Sequence, residues 1–391
     1  MSWPRFRTET LPWEPRGEMS RRARAKAPTT YESALVPSIA QESLELTADL
    51  QAVVEQATIA VARFDATVAH RLIPFTPLLL RTESVASSKI ERLTSSARKV
   101  LEAELTGSKH GNAGLIASNV QQMEVAKELT VEKANDLLEL HRILLEHSAP
   151  AIAGVLRNEP VWIGGADQYP LDAYFVAPHQ RLLPDALDDF LAFLARVDLP
   201  ALAHAAVAHA HFESIHPFAD GNGRTGRALI HIVLRQRGLT TETSLPISAS
   251  LLADVDSYFE ALDAYRDGDI ASIVRLFAQA AIEATRRGEW LVAQLDSVRE
   301  EWEGLVTARK DAADWKALGV LIRQPLVTVA GLTAELGITP AAARATLVRL
   351  EGNGILIGAQ MSNKVRAWRA PDVLDLLDEF GDGMRRGTAS V

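Results

Sequence analysis

The run "HPFADGNGRTGR", His216 to Arg227, holds one histidine, one acid, three glycines and two arginines within twelve residues. Pro217 disfavours helical geometry at His216, so a helix arriving through "AAVAHAHFESI" should stop there. A loop follows, and a new helix is predicted from about Arg224. Gly221, Gly223 and Gly226 let backbone N–H groups approach a ligand closely. The start of a helix adds orphan donors and a favourable dipole for an anion. Arg224 and Arg227, three apart, share a face and can bracket phosphate oxygens. Asp220 is an acid among donors meant for anions, which makes sense if it holds a divalent cation bridging phosphates. His216, at the lip of the loop, is placed to take a proton from an attacking hydroxyl. Base, metal acid, anion cradle and charge clamp are the parts of a phosphoryl or nucleotidyl transferase.

Two simpler readings fail on context. "GNGRTG", Gly221 to Gly226, satisfies the dinucleotide pattern G-x-G-x-x-G, but an alanine-rich helix stands where that pattern needs a strand. No Gly-Lys-Ser/Thr follows, so it is not a P-loop. His204, His209 and His211 do not have the i, i+4 spacing of zinc-binding helices. His209 reads as a core histidine with a hydrogen-bond partner.

The elements around the loop are mostly helical. "LELTADLQAVVEQATIAVARFD" has an apolar face at helical spacing, and Pro74 and Pro77 break the chain before a helix start. Val161, Trp162 and Ile163, then Tyr174, Phe175 and Val176, predict a β-hairpin. Asp185 sits in a favourable first turn, and Gly238 ends the helix that follows the loop. The last block predicts a helix, a second one initiated by Thr328, a turn at Gly337, a helix from Thr339 and Pro340, then two short strands. That order resembles a winged helix-turn-helix. Residues 312–370 carry seven Lys or Arg against three acids, about +4. Arg344, Thr346 and Arg349 are its candidate recognition residues, and Lys364, Arg366 and Arg369 its candidate phosphate contacts. Such modules also pair with a second copy of the chain, so DNA and homodimer both stay open.

Composition bounds the rest. The chain has 391 residues, 47% hydrophobic and 23% charged, with no cysteine. Disulfides and thiolate chemistry are excluded. A net charge of −9 argues against a protein that coats nucleic acid along its whole surface. The N-terminus is basic and lacks the apolar core of a signal peptide, and no apolar run spans a bilayer. The expectation is a cytoplasmic protein of mainly α fold. Its predicted parts are a basic mobile arm (1–28), an N-terminal helical region (29–110), a core (111–287), a connector helix (288–311) and the C-terminal block with an acidic tail (312–391).

"HPFADGNGRTGR" matches the signature HPFx[D/E]GNGRxxR of the Fic family at every specified position, and the resemblance extends over about Tyr31 to Arg287. It implies a Fic-type helical core with a β-hairpin flap, and an activity that transfers AMP from ATP to a Ser, Thr or Tyr hydroxyl of a protein. His216 would be the general base and Asp220 the Mg²⁺ ligand. Gly221, Asn222, Gly223, Arg224 and Gly226 would cradle phosphates, and Arg227 would hold the γ-phosphate. Related Doc-type kinases carry Lys where this chain has Gly223, which favours AMP over phosphate transfer. Trp162, Ile163 and Gly164 would form a flap pairing with the target backbone. Tyr258 would pack near the adenine or simply in the core.

"SVASSKIERL" resembles the family's inhibitory motif [S/T]xxxE[G/N] through Ser87 and Glu91, with Arg92 in the Gly/Asn place. Glu91 would pair with Arg227 and displace the γ-phosphate. Two rivals stay open: another transferred group or AMP removal at the same site, and a DNA-binding regulator whose core senses a nucleotide.

Overall fold

Helices dominate the computed structural model, which describes residues 3–13, 20–72, 75–165, 169–170, 172–241, 243–362 and 365–383. In chain order the elements are β1 (Arg7–Pro12), α1 (Arg21–Lys26), β2 (Thr30–Leu35), α2 (Ala48–Leu72), α3 (Thr76–Ile90), α4 (Ala97–Thr106), α5 (Gly111–Ala126) and α6 (Ala134–Leu145). Then come β3 (Trp162–Ile163), β4 (Phe175–Val176), α7 (Leu183–Leu194), α8 (Ala201–Ile215), α9 (Asn222–Gln236), α10 (Ile247–Ala253), α11 (Val255–Arg266) and the long α12 (Ile270–Leu305). The chain ends with α13 (Ala313–Arg323), β5 (Leu326–Thr328), α14 (Val329–Leu336), α15 (Pro340–Gly352), β6 (Ile357–Ser362), β7 (Val365–Arg369) and α16 (Pro371–Gly383). No helix among the described residues is long and apolar enough to cross a membrane.

Two compact units divide the chain. The first comprises 1–55, 125–237 and 256–278, the second 56–124, 238–255 and 279–391. These units cut across the boundaries drawn from sequence, since the second joins parts of the predicted N-terminal region to the whole C-terminal block.

In the first unit, α8 is buried almost all round, which its sequence explains. Five buried alanines (Ala203, Ala205, Ala206, Ala208, Ala210) shrink its girth, so neighbouring helices pack on every side. β1 pairs antiparallel with β2, Arg7 opposite Leu35 and Pro12 opposite Thr30. Residues 3–13 are therefore no mobile arm, contrary to the sequence expectation. Trp3 is 5% exposed, the Phe6 ring lies edge-on to His211 and Tyr265, and Trp13 sits edge-on to Tyr31 and Trp162. The three aromatics bury enough apolar area to fix the strand, and the basic residues between them ride on its surface.

In the second unit, α3 buries polar side chains along with apolar ones. Glu83 accepts from the N–H and hydroxyl of Ser248 at the start of α10, and Asn119 donates to the Ser84 carbonyl and the Ser88 hydroxyl. The C-terminal sheet has the order β5-β7-β6 and is antiparallel. Thr328 caps α14 by accepting from the Gly331 N–H, and Thr339 caps α15 by accepting from the Ala342 N–H. α16 reaches back to α3 and α4: Lys89 Nζ donates to the Gly381 carbonyl and Asp378 accepts from the Ala97 N–H. Of the candidate recognition residues Thr346 is buried, and Arg349 is exposed but has its guanidinium engaged by a carboxylate. Asp314 is fully buried and holds both, at 3.5 Å from the Thr346 hydroxyl and 2.9 Å from Arg349 Nε, because a buried carboxylate needs donors. Pro74 and Lys364 lie outside the described residues, as do the turn positions 166–168 and 171 of the flap and the end of the tail, 384–391.

Candidate active site

His216 stands at the C-cap of α8 with φ 49° and ψ 60°, the left-handed conformation in which a helix turns off its axis. Its Nδ1 lies 3.2 Å from the Glu213 carbonyl. A carbonyl only accepts, so Nδ1 carries the proton in the neutral ring and Nε2 carries the basic lone pair. The loop is thus entered with an imidazole in the tautomer that general-base chemistry needs.

Phe218 to Gly221 are held from within. Asn222 Oδ1 accepts from the Phe218 N–H at 2.9 Å, and its Nδ2 donates to the Phe218 carbonyl at 2.8 Å. The Asn222 side chain, expected to cradle phosphates, instead staples the loop, and what it offers a ligand is its backbone. His141, which the sequence reading passed over, supports the loop from α6. Its ring stacks on Phe218 at 3.7 Å with planes 2° apart. The Gly154 N–H donates to its Nδ1 at 3.0 Å, so its Nε2 is the protonated nitrogen and donates to the Asp220 carbonyl at 2.9 Å. Burial lowers its pKa to about 4 and keeps it neutral in this role. The apolar spacing of Leu137, Leu140 and Leu144 around it marked His141 as a buried-face residue.

α9 begins at Asn222, two residues earlier than predicted. Its N-cap is Gly221, at φ 78°, where a Cβ would stand 3.0 Å from Leu144. A glycine has no side chain with which to cap, so no cap side chain covers the first turn of α9. Arg227 is 2% exposed and Arg224 3%. Arg224 Nη2 is 3.7 Å from Asp220 Oδ1, which also accepts from the Gly221 N–H at 2.7 Å. The Asp220 side chain is 62% exposed. Gly226 does not face the loop. A Cβ there would meet Glu213 Oε1 at 2.5 Å and Phe212 at 3.0 Å, so it permits the close approach of α8 and α9. Tyr258, 1% exposed, hydrogen-bonds His209 Nε2 at 2.8 Å and packs inside the unit. Burial lowers the pKa of His209 to about 3 and that of His204 to about 4, and each ring has its own partner, Tyr258 and the Phe193 carbonyl.

The hairpin forms as the spacing predicts. Trp162 lies opposite Val176, and Ile163 opposite Phe175. The Tyr174 N–H donates to the Ile163 carbonyl at 2.8 Å. Gly164, at φ 75°, lies directly under the Tyr174 ring, where a Cβ would collide with it. Tyr174 itself is 85% exposed.

Ser87 and Glu91 belong to the second unit. Ser87 is buried on α3, and Glu91 is its half-exposed C-cap. Arg92 adopts φ 64°. Its N–H bonds the Lys89 carbonyl at 2.9 Å and the Leu93 N–H bonds the Ser88 carbonyl at 3.0 Å, a Schellman closure. The Gly/Asn place in the motif is the left-handed position of that closure, and here arginine occupies it.

Residues 130–234 match the Fic/DOC family, a narrower span than the sequence resemblance suggested. "Protein adenylyltransferase Fic" of Drosophila willistoni is 31% identical over 180 residues, 46% of this chain and 32% of that protein. "Protein adenylyltransferase fic-1" of Caenorhabditis elegans is 28% identical over 163 residues, 42% of this chain and 30% of that protein. The chain thus spans about a third of the length of the curated relatives it matches. A crystal structure of a Fic family protein from Desulfovibrio desulfuricans G20 shares the fold with TM-score 0.56 at 22% identity, over 84% of this chain and 98% of that one.

Proposed function

We propose that this chain is a member of the Fic/DOC family that its residues 130–234 match, and that it transfers AMP from ATP to a Ser, Thr or Tyr hydroxyl of a protein, itself included. One observation carries the reading. A histidine whose Nδ1 proton is committed to the Glu213 carbonyl stands beside a helix start that has a glycine for a cap and two buried arginines in its first turns. His216 Nε2 takes the proton of the target hydroxyl as its oxygen attacks the α-phosphorus. The new P–O bond forms as the bond to the β-phosphate oxygen breaks, and pyrophosphate leaves with that electron pair. The N–H groups of the first turn of α9, with Arg224 and Arg227, orient the phosphates and balance the charge that builds on them. Gly223 supports AMP transfer over phosphate transfer, since the Doc-type kinases carry lysine there.

Among the described residues no cluster of three His, Cys, Asp or Glu forms a metal cage. The single exposed Asp220 carboxylate fits the other way of holding Mg²⁺, through one carboxylate and the phosphates of the nucleotide. A bound Mg²⁺ would supply charge neutralisation at those phosphates. Glu91 would act as the brake, its carboxylate taking the guanidinium of Arg227 from the γ-phosphate. The edge formed by Trp162, Ile163 and Gly164 would pair with the target strand.

The test is incubation with ATP labelled at the α- or γ-phosphate, in wild type, Glu91→Gly and Glu91→Gly with His216→Ala. α-Label should enter protein strongly in Glu91→Gly alone, with the mass of AMP on a hydroxyl side chain. Incorporated γ-label would replace the reading with a kinase, and release of AMP from modified protein would replace it with the reverse reaction.

For the C-terminal elements we infer a winged helix-turn-helix, supported by the order helix, strand, two helices and hairpin. DNA would meet Arg344, which is exposed on α15, together with Arg366 and Arg369. Salt-dependent binding to duplex DNA tests it. A concentration-dependent dimer without DNA affinity would assign the module to a second copy of the chain.

A further inference from the structure

The loop that leads into the flap holds a residue with no assigned part. Arg157 is 4% exposed, and the partners described for it are backbone carbonyls. Its Nε donates to the His216 carbonyl at 2.7 Å, and Nη2 to the Ile215 carbonyl at 3.3 Å. The same Nη2 donates to the Pro178 carbonyl at 2.6 Å, two residues after β4, and Nη1 to the Glu159 carbonyl at 3.1 Å, three before β3. The Arg157 N–H itself donates to the Pro217 carbonyl at 3.0 Å.

These acceptors are of two kinds. Ile215 and His216 end α8, where helix carbonyls have no partner of their own and a cation is favourable. Glu159 and Pro178 are the two roots of the β3–β4 hairpin. One planar guanidinium thus ties the turn that carries the base to both roots of the flap. Its fork is rigid, so the distances among the four carbonyls are fixed together. Its charge is buried, and burial lowers its pKa to about 10, which still leaves it a cation near neutral pH.

We propose that Arg157 is a positioning residue that holds the His216 turn and the β3–β4 hairpin as one body, so that the base and the strand presenting the target hydroxyl keep a fixed relation. The inference rests on the reading of the hairpin as the target-holding flap. It goes beyond that reading in naming what couples the flap to the base. A misplacement of base from hydroxyl on the order of 1 Å costs about 100-fold in rate, so a coupling of this kind acts on turnover more than on nucleotide binding.

The experiment has two arms, each read in Arg157→Gln and Arg157→Lys. In the first, amide hydrogen exchange is followed over residues 158–164 with 174–178, over 213–219, and over 340–352 as a control. Arg157→Gln should speed exchange in both the flap roots and the histidine turn by at least about tenfold, with the control unchanged. Arg157→Lys keeps the charge but loses the fork, and should fall between. If only one of the two segments loosens, or neither does, the coupling is overturned. Should Arg157→Gln lose protection throughout the chain, Arg157→Lys is judged by the same criterion. In the second arm, performed in the Glu91→Gly background, kcat for AMP transfer should drop about 100-fold while KM for ATP moves less than about threefold. Unchanged kcat overturns the proposal. A background protein that transfers no AMP overturns the function proposed above, and the exchange arm still decides the clamp.

Discussion

Two helices of this chain start just after a sharp turn and carry arginines. They are α9, after His216, and α15, after Gly337. At α15 the cap is Thr339, whose hydroxyl accepts from the Ala342 N–H at 3.2 Å, and Arg349 further along is paired with Asp314 at 2.5 Å. The helix is closed on itself and contributes stability. At α9 the cap is Gly221, which has no side chain to cap with, and the loop before it is fixed by Asn222 and His141 on the inner side. The difference separates a helix start closed by its own cap from the one at which we propose that the nucleotide binds. What sets α9 apart is a cap without a side chain and the burial of Arg224 and Arg227, which a count of Lys and Arg does not reveal.

The largest effect expected from this contrast is on chemistry. In the Glu91→Gly background, His216→Ala should reduce AMP transfer by more than about 10³-fold, by loss of the base, and Arg227→Ala should weaken nucleotide binding measured by calorimetry. Arg349→Ala on α15 should leave both unchanged. Equal losses at the two helices would erase the distinction drawn here.

Much of the α9 side could be read from the chain. Pro217 does end α8 at His216, and the Gly-rich turn and paired arginines lie where their spacing put them. The caps at Thr328 and Thr339 were legible for the same reason, since they act within four residues. What sequence could not reveal acts over distance. Arg157 bonds backbone carbonyls, which leave no mark in side-chain patterns. Trp3, Phe6 and Trp13 looked like part of a charged tail until β2, some twenty residues on, gave β1 a partner. Gly226 matched a phosphate motif and serves packing, because a glycine in a motif does not say which of its neighbours needs the room.

Acid should expose the second difference. His141, His204, His209 and His211, all in the first unit, are kept neutral by burial, with pKa values lowered to about 4, 4, 3 and 3. Above pH 6.5 the rings are neutral folded or unfolded, and their contribution to stability is complete. As pH falls from 6.5 towards 4, the unfolded chain takes up protons that the folded one refuses. Each ring then costs roughly 1.4 kcal/mol of stability per pH unit. Denaturant unfolding at pH 7.5, 6, 5 and 4.5 should show the loss, and His141→Gln should shallow its slope. A stability that stays flat across this range would contradict the buried neutral rings, and with them the support of the Asp220 carbonyl.

Cap exchange is the next test. Gly221→Ala forces a Cβ into a left-handed position against Leu144, a cost of about 1–2 kcal/mol. Thr339→Ala removes a cap worth about 1 kcal/mol. The two should be similar in thermal unfolding and opposite in nucleotide binding, which only Gly221→Ala should impair.

The smallest effect concerns the end of α3 and sharpens the same comparison at a helix C-terminus. Arg92 occupies the left-handed position of the Schellman closure, at φ 64°, where a side chain costs about 1 kcal/mol relative to glycine. Arg92→Gly should therefore raise stability by about that amount, a shift of a few degrees in Tm, without altering the hydrogen bonds from the Arg92 and Leu93 positions back to Lys89 and Ser88. If Glu91 serves as a brake, a more firmly closed α3 terminus should also hold its carboxylate better and lower self-modification in the wild-type background. Release of activity by Arg92→Gly would instead assign the arginine itself to inhibition. A left-handed arginine would then serve through what its guanidinium binds, as we propose that His216 serves through its imidazole in its own left-handed turn.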